Sequence, residues 1–319
     1  IPDRSTLGPL PVRLRGVVAT PAGSGRHPLV LVLHGRHPDG CPAGPFDSET
    51  WPCFAAQRRY DHGLRHIAIA IAERGMIAAV PDVAGAFTGG WGEPDDVRRW
   101  PRIVDRTLRA LAGAAVQRSD PPPFGVDLTG RIDLRRIGVL GHSRSGGNAV
   151  RAARTRTTTV RRSAAQVTAG RGPWRSLLLL APTGDGGRVP DVPTTVVLSS
   201  CDGDVGDEGL AYLRSARRRP QRRHPLLLTA LQGANHNFFN RTLARARFDD
   251  APRGARGCRS GDRLRAAQQQ RWIARVAAAH FAVTLRGVGR PAWLRRTGRR
   301  PTRIYGLSVT SRWAPRIEE

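Results

Sequence analysis

The stretch Ile137-Gly138-Val139-Leu140-Gly141-His142-Ser143-Arg144-Ser145-Gly146 decides how this chain reads. Its first four residues form an apolar run suited to a strand buried on both faces, and the small residues behind it feed a helix. A serine at the apex of such a turn is the position of a nucleophile elbow. The turn exposes the hydroxyl at the carboxyl end of a parallel strand and aims the next backbone N–H at a reacting carbonyl oxygen. Strand and helix pass close there, so the residues two before and two after the serine must be small. Gly141 meets that demand, whereas Ser145 departs from strict G-x-S-x-G, with Gly146 following at once. The bland alternative is an ordinary strand-to-helix turn.

Further strands are predicted on both sides of this one: Val12 to Thr20, Leu29 to Leu33, Met76 to Val80, Leu177 to Leu180, Thr195 to Leu198 and Leu226 to Leu231. Helical spacing of apolar residues marks Tyr60 to Arg74, Pro94 to Gln117 with an interruption or kink expected at Pro101, Gly146 to Arg156, Asp207 to Arg217 and Leu264 to Thr284. Strands alternating with helices predict an α/β fold, a mostly parallel central sheet covered on both faces. One domain over residues 1–285 is expected. Residues 155–172, rich in arginine and threonine, fall where such folds insert a lid. Residues 286–319 read as a basic extension, wrapped on the surface or partly disordered.

Composition narrows the classes. No apolar run approaches the ~20 residues that span a bilayer. The net charge of +27 comes from arginine alone, since the 319 residues include no lysine. Scattered arginines without interleaved aromatics argue against specific nucleic-acid recognition and suit either a solvated surface or attraction to an anionic one. The start at Ile1-Pro2 reads as a processed or trimmed terminus. Four cysteines, Cys41, Cys53, Cys201 and Cys258, lack the C-x-x-C spacing of metal or redox sites. Their natural pairing, Cys41 to Cys53 and Cys201 to Cys258, implies an oxidising compartment; the alternative is four free thiols in the cytosol.

A serine nucleophile needs a base, an acid that orients the base, and donors for the oxyanion. Behind the strand Thr195 to Leu198 comes Ser199-Ser200-Cys201-Asp202-Gly203-Asp204-Val205, where Asp202 is the preferred acid and Asp204 the alternative. Behind Leu226 to Leu231 comes Gly233-Ala234-Asn235-His236-Asn237-Phe238-Phe239, which presents His236 as the base. His142 is expected to pack beneath the serine. His34-Gly35-Arg36, after the strand Leu29 to Leu33, nominates the backbone of Arg36 as one oxyanion donor, with that of Arg144 as the other. No metal cluster or phosphate-binding loop stands out, Asp202, Asp204 and Asp207 lack calcium-loop spacing, and no cofactor is expected.

With these stretches in order, and with His34 to Pro38, Trp51-Pro52-Cys53, Tyr60-Asp61 and Gly141 to Gly147 beside them, residues 10–285 resemble the α/β-hydrolase superfamily. They are most similar to secreted bacterial serine esterases of the platelet-activating-factor acetylhydrolase and cutinase-like, polyester-hydrolase group. The resemblance implies hydrolysis of a small-molecule or polymeric carboxylic ester through an acyl-enzyme, by a secreted monomer outside the cell or in its envelope. Two other readings share the same residues: a peptidase or lysophospholipid-type acyl hydrolase on the same triad, and a non-enzymatic cationic surface-binding protein on a hydrolase scaffold.

Overall fold

The computed structural model describes residues 12–37, 57–87, 95–156, 170, 172–219, 221–252, 257–289, 291–294 and 302–314. Nine strands among them form one sheet: β1 (Gly16–Ala19), β2 (His27–Leu33), β3 (Ile77–Pro81), β4 (Ile132–His142), β5 (Trp174–Leu180), β6 (Thr194–Cys201), β7 (Leu226–Asn235), β8 (Arg303–Ile304) and β9 (Leu307–Ala314). Their order is β1-β3-β2-β4-β5-β6-β7-β9-β8. Every pairing from β3 to β7 is parallel, while β1, β9 and β8 join antiparallel. The expected α/β architecture with a mostly parallel sheet is therefore present.

Alternation along each central strand builds two cores, because successive side chains leave opposite faces. Leu29, Leu31, Val139, Leu177, Leu179 and Val196 point to one face and meet α3 (Asp95–Val116), α4 (Arg144–Arg156) and α5 (Leu210–Arg217). Val30, Val32, Leu140, Leu178, Leu180 and Val197 point to the other, covered by α2 (Arg65–Ala72) and α7 (Ala266–Arg286). Two short helices, α1 (Tyr60–Gly63) and α6 (Arg241–Arg245), flank that second layer. No helix among the described residues is long and apolar enough to cross a membrane.

Three local readings are corrected. The single helix expected from Tyr60 breaks at Leu64, which caps both α1 and α2. Pro101 does not interrupt α3, which runs through it; the proline removes one N–H in the second turn, and the neighbouring Trp100, fully buried, anchors the helix there. The tail is more than a surface wrap, since β9 pairs with β7 from Leu226↔Ala314 to Leu231↔Val309. Trp272 of α7 donates its indole N–H to the Ile304 carbonyl at 2.7 Å and ties the β8–β9 hairpin down. The expected lid touches the described residues only at Thr155 and Arg156, which end α4, and at Gly170 and Gly172; residues 157–169 and 171 lie outside them.

Because β2 to β7 run parallel, their carboxyl ends share one edge of the sheet. His34-Gly35 follows β2, Ser143 follows β4, Asp202 follows β6 and His236 follows β7. The topology alone collects the candidate residues.

Candidate active site

Ser143 sits between β4 and α4 with φ of 54°, in the left-handed region that a non-glycine residue enters only when its surroundings impose it. Here the surroundings are explicit. Its N–H donates to the Leu180 carbonyl at 2.9 Å, and its own carbonyl accepts from Gly146 at 2.8 Å and Thr183 at 3.3 Å. A side chain on Gly141 would place its Cβ 2.5 Å from the Ser145 carbonyl oxygen, and one on Gly146 would meet the Pro182 side chain at 2.5 Å. The requirement for small residues thus falls on Gly141 and Gly146.

Ser145 fills the position where the sequence departs from the strict motif, and it causes no crowding there. It is fully buried, donates to the His34 carbonyl at 2.5 Å and accepts the Trp100 indole N–H at 2.8 Å. One hydroxyl joins α4 to the loop after β2 and to α3. That loop is fixed a second time through His34, whose Nδ1–H donates to the Gly35 carbonyl at 2.9 Å and whose Nε2 accepts from Val83 N–H at 2.9 Å. Gly35 presses against the nucleophile. A Cβ there would lie 2.5 Å from Ser143 Cβ and 3.1 Å from its Oγ. The backbone of Gly35-Arg36 is accordingly brought to the serine, as is Arg144, the first residue of α4.

His236 and Asp202 are both buried and joined by an Nδ1–H···Oδ2 hydrogen bond of 2.8 Å. The second oxygen of Asp202 accepts the backbone N–H groups of Asp204 at 3.0 Å, Val205 at 2.8 Å and Gly206 at 3.1 Å. Those three bonds fix the carboxylate and leave its other oxygen for the imidazole. Asp204 lies on the opposite side of the ring, 3.4 Å from Nε2. The two acids between which the sequence left a choice therefore take one ring nitrogen each. Burial lowers the pKa of His236, but the hydrogen bond and charge of Asp202, followed by the charges of Asp204 and Asp250, outweigh it and hold the imidazole above 6.5. Among the described residues, Nε2 itself finds no hydrogen-bond partner.

His142 packs against His236 with ring centroids 4.8 Å apart and planes tilted by 36°, and it donates Nε2–H to the His236 carbonyl at 3.1 Å. His37 packs behind it at 5.3 Å. Burial, then the charge of neighbouring imidazoles, drives both of these rings well below their ordinary pKa, which keeps them neutral beneath the titrating one. The guanidinium of Arg144 is bound by Asp96 at 2.5 Å and Asp185 at 3.0 Å. Burial pulls the pKa of half-buried Arg36 down, against the charge of Asp96, while Arg144 lowers it and Asp204 raises it.

Cys201, the residue before Asp202, is disulfide-bonded to Cys258 with 5.5 Å between their Cα atoms. The companion pair, Cys41 and Cys53, lies outside the described residues. Supporting groups that the sequence did not single out surround His236. Gln269 of α7, fully buried, donates to the Asn235 carbonyl at 2.6 Å and accepts the Asn235 N–H at 3.0 Å, clamping the backbone just before the histidine. Its signal was the run of three glutamines, Gln268 to Gln270, in a helix whose other residues are mostly apolar. Asp250 accepts from Gly203 N–H at 2.9 Å and Asn237 N–H at 3.4 Å, bridging the acid and base loops; nothing in its local sequence marks it. Donor atoms of Asp202, His236 and Asp250 lie within 4.8 Å of one another, close enough for a cation. Apart from His236 Nε2, they are already engaged by the hydrogen bonds above, so the set reads as an acid–base pair with its support.

Comparison with protein-family models finds no match, and no curated protein matches the chain.

Two predictions follow from this packing. Restoring the strict motif by Ser145→Gly should destabilise the protein by roughly 2–4 kcal/mol, because it leaves a buried indole N–H and a carbonyl unpaired; urea unfolding measures it, and an unchanged midpoint refutes the linking role. The buried neutral histidines, His37 and His142 with His66 and His280 at about 3, take up protons near pH 6.5 only when unfolded. Stability is therefore full above that pH and lost as pH falls, by up to about 1.4 kcal/mol per pH unit for each ring. Unfolding curves at pH 7.5 and 5.0 test the sign.

Proposed function

We propose that this chain is a serine hydrolase of the α/β-hydrolase type that cleaves carboxylic esters, with Ser143 as nucleophile, His236 as base and Asp202 as its orienting acid. The observation that carries the reading is the pairing of a serine forced to φ of 54° at a strand-to-helix turn with a buried His–Asp pair on the same sheet edge. An isolated positive φ or an isolated His–Asp contact is common enough in structural roles. Their convergence, with a side-chain-free residue against the hydroxyl, suits acyl transfer.

In this mechanism Ser143 Oγ attacks the ester carbonyl while His236 Nε2 takes its proton. The developing oxyanion is received by the backbone N–H groups of Arg36 and Arg144, the second reinforced by the amino end of α4. His236 then protonates the leaving alcohol, and water enters to release the acid from the acyl-enzyme by the same steps. Asp202 holds the Nδ1–H tautomer, so that the lone pair sits on Nε2, and it stabilises the imidazolium once formed. The resemblance to platelet-activating-factor acetylhydrolase-like and cutinase-like esterases supports the ester assignment, and the Cys201–Cys258 bond supports a secreted protein.

Labelling with a fluorophosphonate probe should mark the protein at Ser143, and Ser143→Ala should abolish labelling and reduce p-nitrophenyl-ester turnover on the order of 10⁴-fold or more. Activity retained in that variant would sink the proposal, and turnover of anilides faster than of esters would move it to peptidase chemistry. The base must be unprotonated to act, so kcat/KM should rise with pH through a midpoint above 6.5. Asp204→Asn removes a carboxylate 3.4 Å from Nε2 and should shift that midpoint down by about half to one unit. An unshifted profile would show that Asp204 does not act on the ring.

A further inference from the structure

A cleft of about 840 Å³ opens beside the outer strand β1, where α2 and α6 meet its free edge. Its lining contains neither Ser143, Asp202 nor His236. One wall is basic: His62, Arg65, Arg241 and Arg245. Apolar lining comes from Val17 and Ala19 of β1 and from Ile69 and Ala72 of α2, with Ile69, one turn after Arg65, 41% exposed. Glu73 is the single acid among the described lining residues.

The three arginines differ from those described above. Arg15, Arg59, Arg136, Arg144, Arg151 and Arg263 each meet a carboxylate. Among the described residues, Arg65, Arg241 and Arg245 form no ion pair, although all three face one cavity. Behind Arg241 lies His66, which burial and then the charge of that guanidinium push down to about 3.

The wall that carries them is rigid. Asn240 caps α6 by accepting from Thr242 N–H at 2.9 Å, and its amide donates to the Tyr60 carbonyl at 2.8 Å. Thr242 Oγ1 donates to the Arg59 carbonyl at 3.0 Å. Gly63 closes against the same asparagine so tightly that a Cβ would fall 1.7 Å from its Oδ1. Arg241 and Arg245, one turn apart on α6, are thereby held at a fixed offset from Arg65 at the start of α2. Guanidinia carry forked donors suited to phosphate or carboxylate oxygens. The apolar residues lining the same cleft ask for something a simple anion lacks.

We infer that this cleft binds an anionic amphiphile, with its phosphate or carboxylate head on Arg65, Arg241 and Arg245 and its apolar portion along Val17, Ala19 and Ile69. The volume lies within the 300–1,000 Å³ typical of small-molecule sites, so the ligand is a single molecule rather than a lipid surface. The inference stands independently of the proposed hydrolase chemistry.

Calorimetric titration with dodecyl phosphate below its micellar concentration tests it. One saturable site is expected, with dodecyl maltoside and inorganic phosphate each binding at least tenfold more weakly. Arg241→Gln/Arg245→Gln and, separately, Ile69→Asp should each weaken dodecyl phosphate at least tenfold. All three positions are exposed, and circular dichroism melts verify that the variants fold. Arg135→Gln/Arg312→Gln removes the same charge from exposed positions on β4 and β9 and should leave binding within twofold. Equal loss in the two double variants would reduce the effect to net charge and overturn the inference. So would inorganic phosphate binding as tightly as dodecyl phosphate, or binding only to phosphatidylglycerol vesicles.

Discussion

The left-handed backbone at Ser143 is the constraint on which the site depends. A serine enters that conformation at a cost of about 1–3 kcal/mol, and the offsetting contacts come from β5 and α4, which supply the Leu180 carbonyl and the Thr183 and Gly146 N–H groups. Those contacts require β4, β5 and α4 to lie within a fraction of an ångström of where they are. The bare Cα atoms of Gly141 and Gly146 permit that approach, and the Ser145 hydroxyl locks it by reaching both His34 and Trp100. Once the turn is set, Gly35 has one position available, against the serine. The elbow therefore organises its neighbours as much as it is held by them.

Electrostatics around His236 follow from a different division of labour. Asp202 is saturated on one oxygen by three backbone donors, so its remaining oxygen can only face Nδ1. Asp204 and Asp250 add field without sharing that bond. Beneath the ring, two imidazoles are kept neutral by burial, so they provide shape without competing charge. A charged partner in their place would oppose the imidazolium that proton transfer creates.

Much of this was legible in the sequence because it is local. The apolar run ending at Leu140, the order of serine, acid and base, and the glycines that permit tight turns all depend on neighbouring residues and on the period of two along a strand. What could not be read depends on contacts between distant segments. The role of Ser145 requires knowing that Trp100 lies 45 residues back yet within 2.8 Å. Gln269 reads as a stray polar residue until α7 is laid across Asn235. The tail, judged by its prolines and arginines, gave no sign of pairing, because β9 is half polar and its partner strand is far away. Arginine abundance was equally uninformative about position: Arg222 is buried with its guanidinium on the carbonyls of Pro190 and Val192, while Arg241 stands in the open.

The pairing of β9 with β7 bears on the order in which the site is assembled. The strand that ends at His236 has β6 on one side, and on the other a partner 82 residues further along the chain at the Thr229–Ser311 contact. Until that later segment is synthesised, β7 is a sheet edge with unpaired N–H and C=O groups, the form most open to mispairing. Closing so large a loop is slow compared with forming the helices between. The strand that carries the base is thus left with an open edge until the β8–β9 hairpin has been made, whereas the serine turn takes its contacts from β4, α4 and the end of β5, which precede it in the chain.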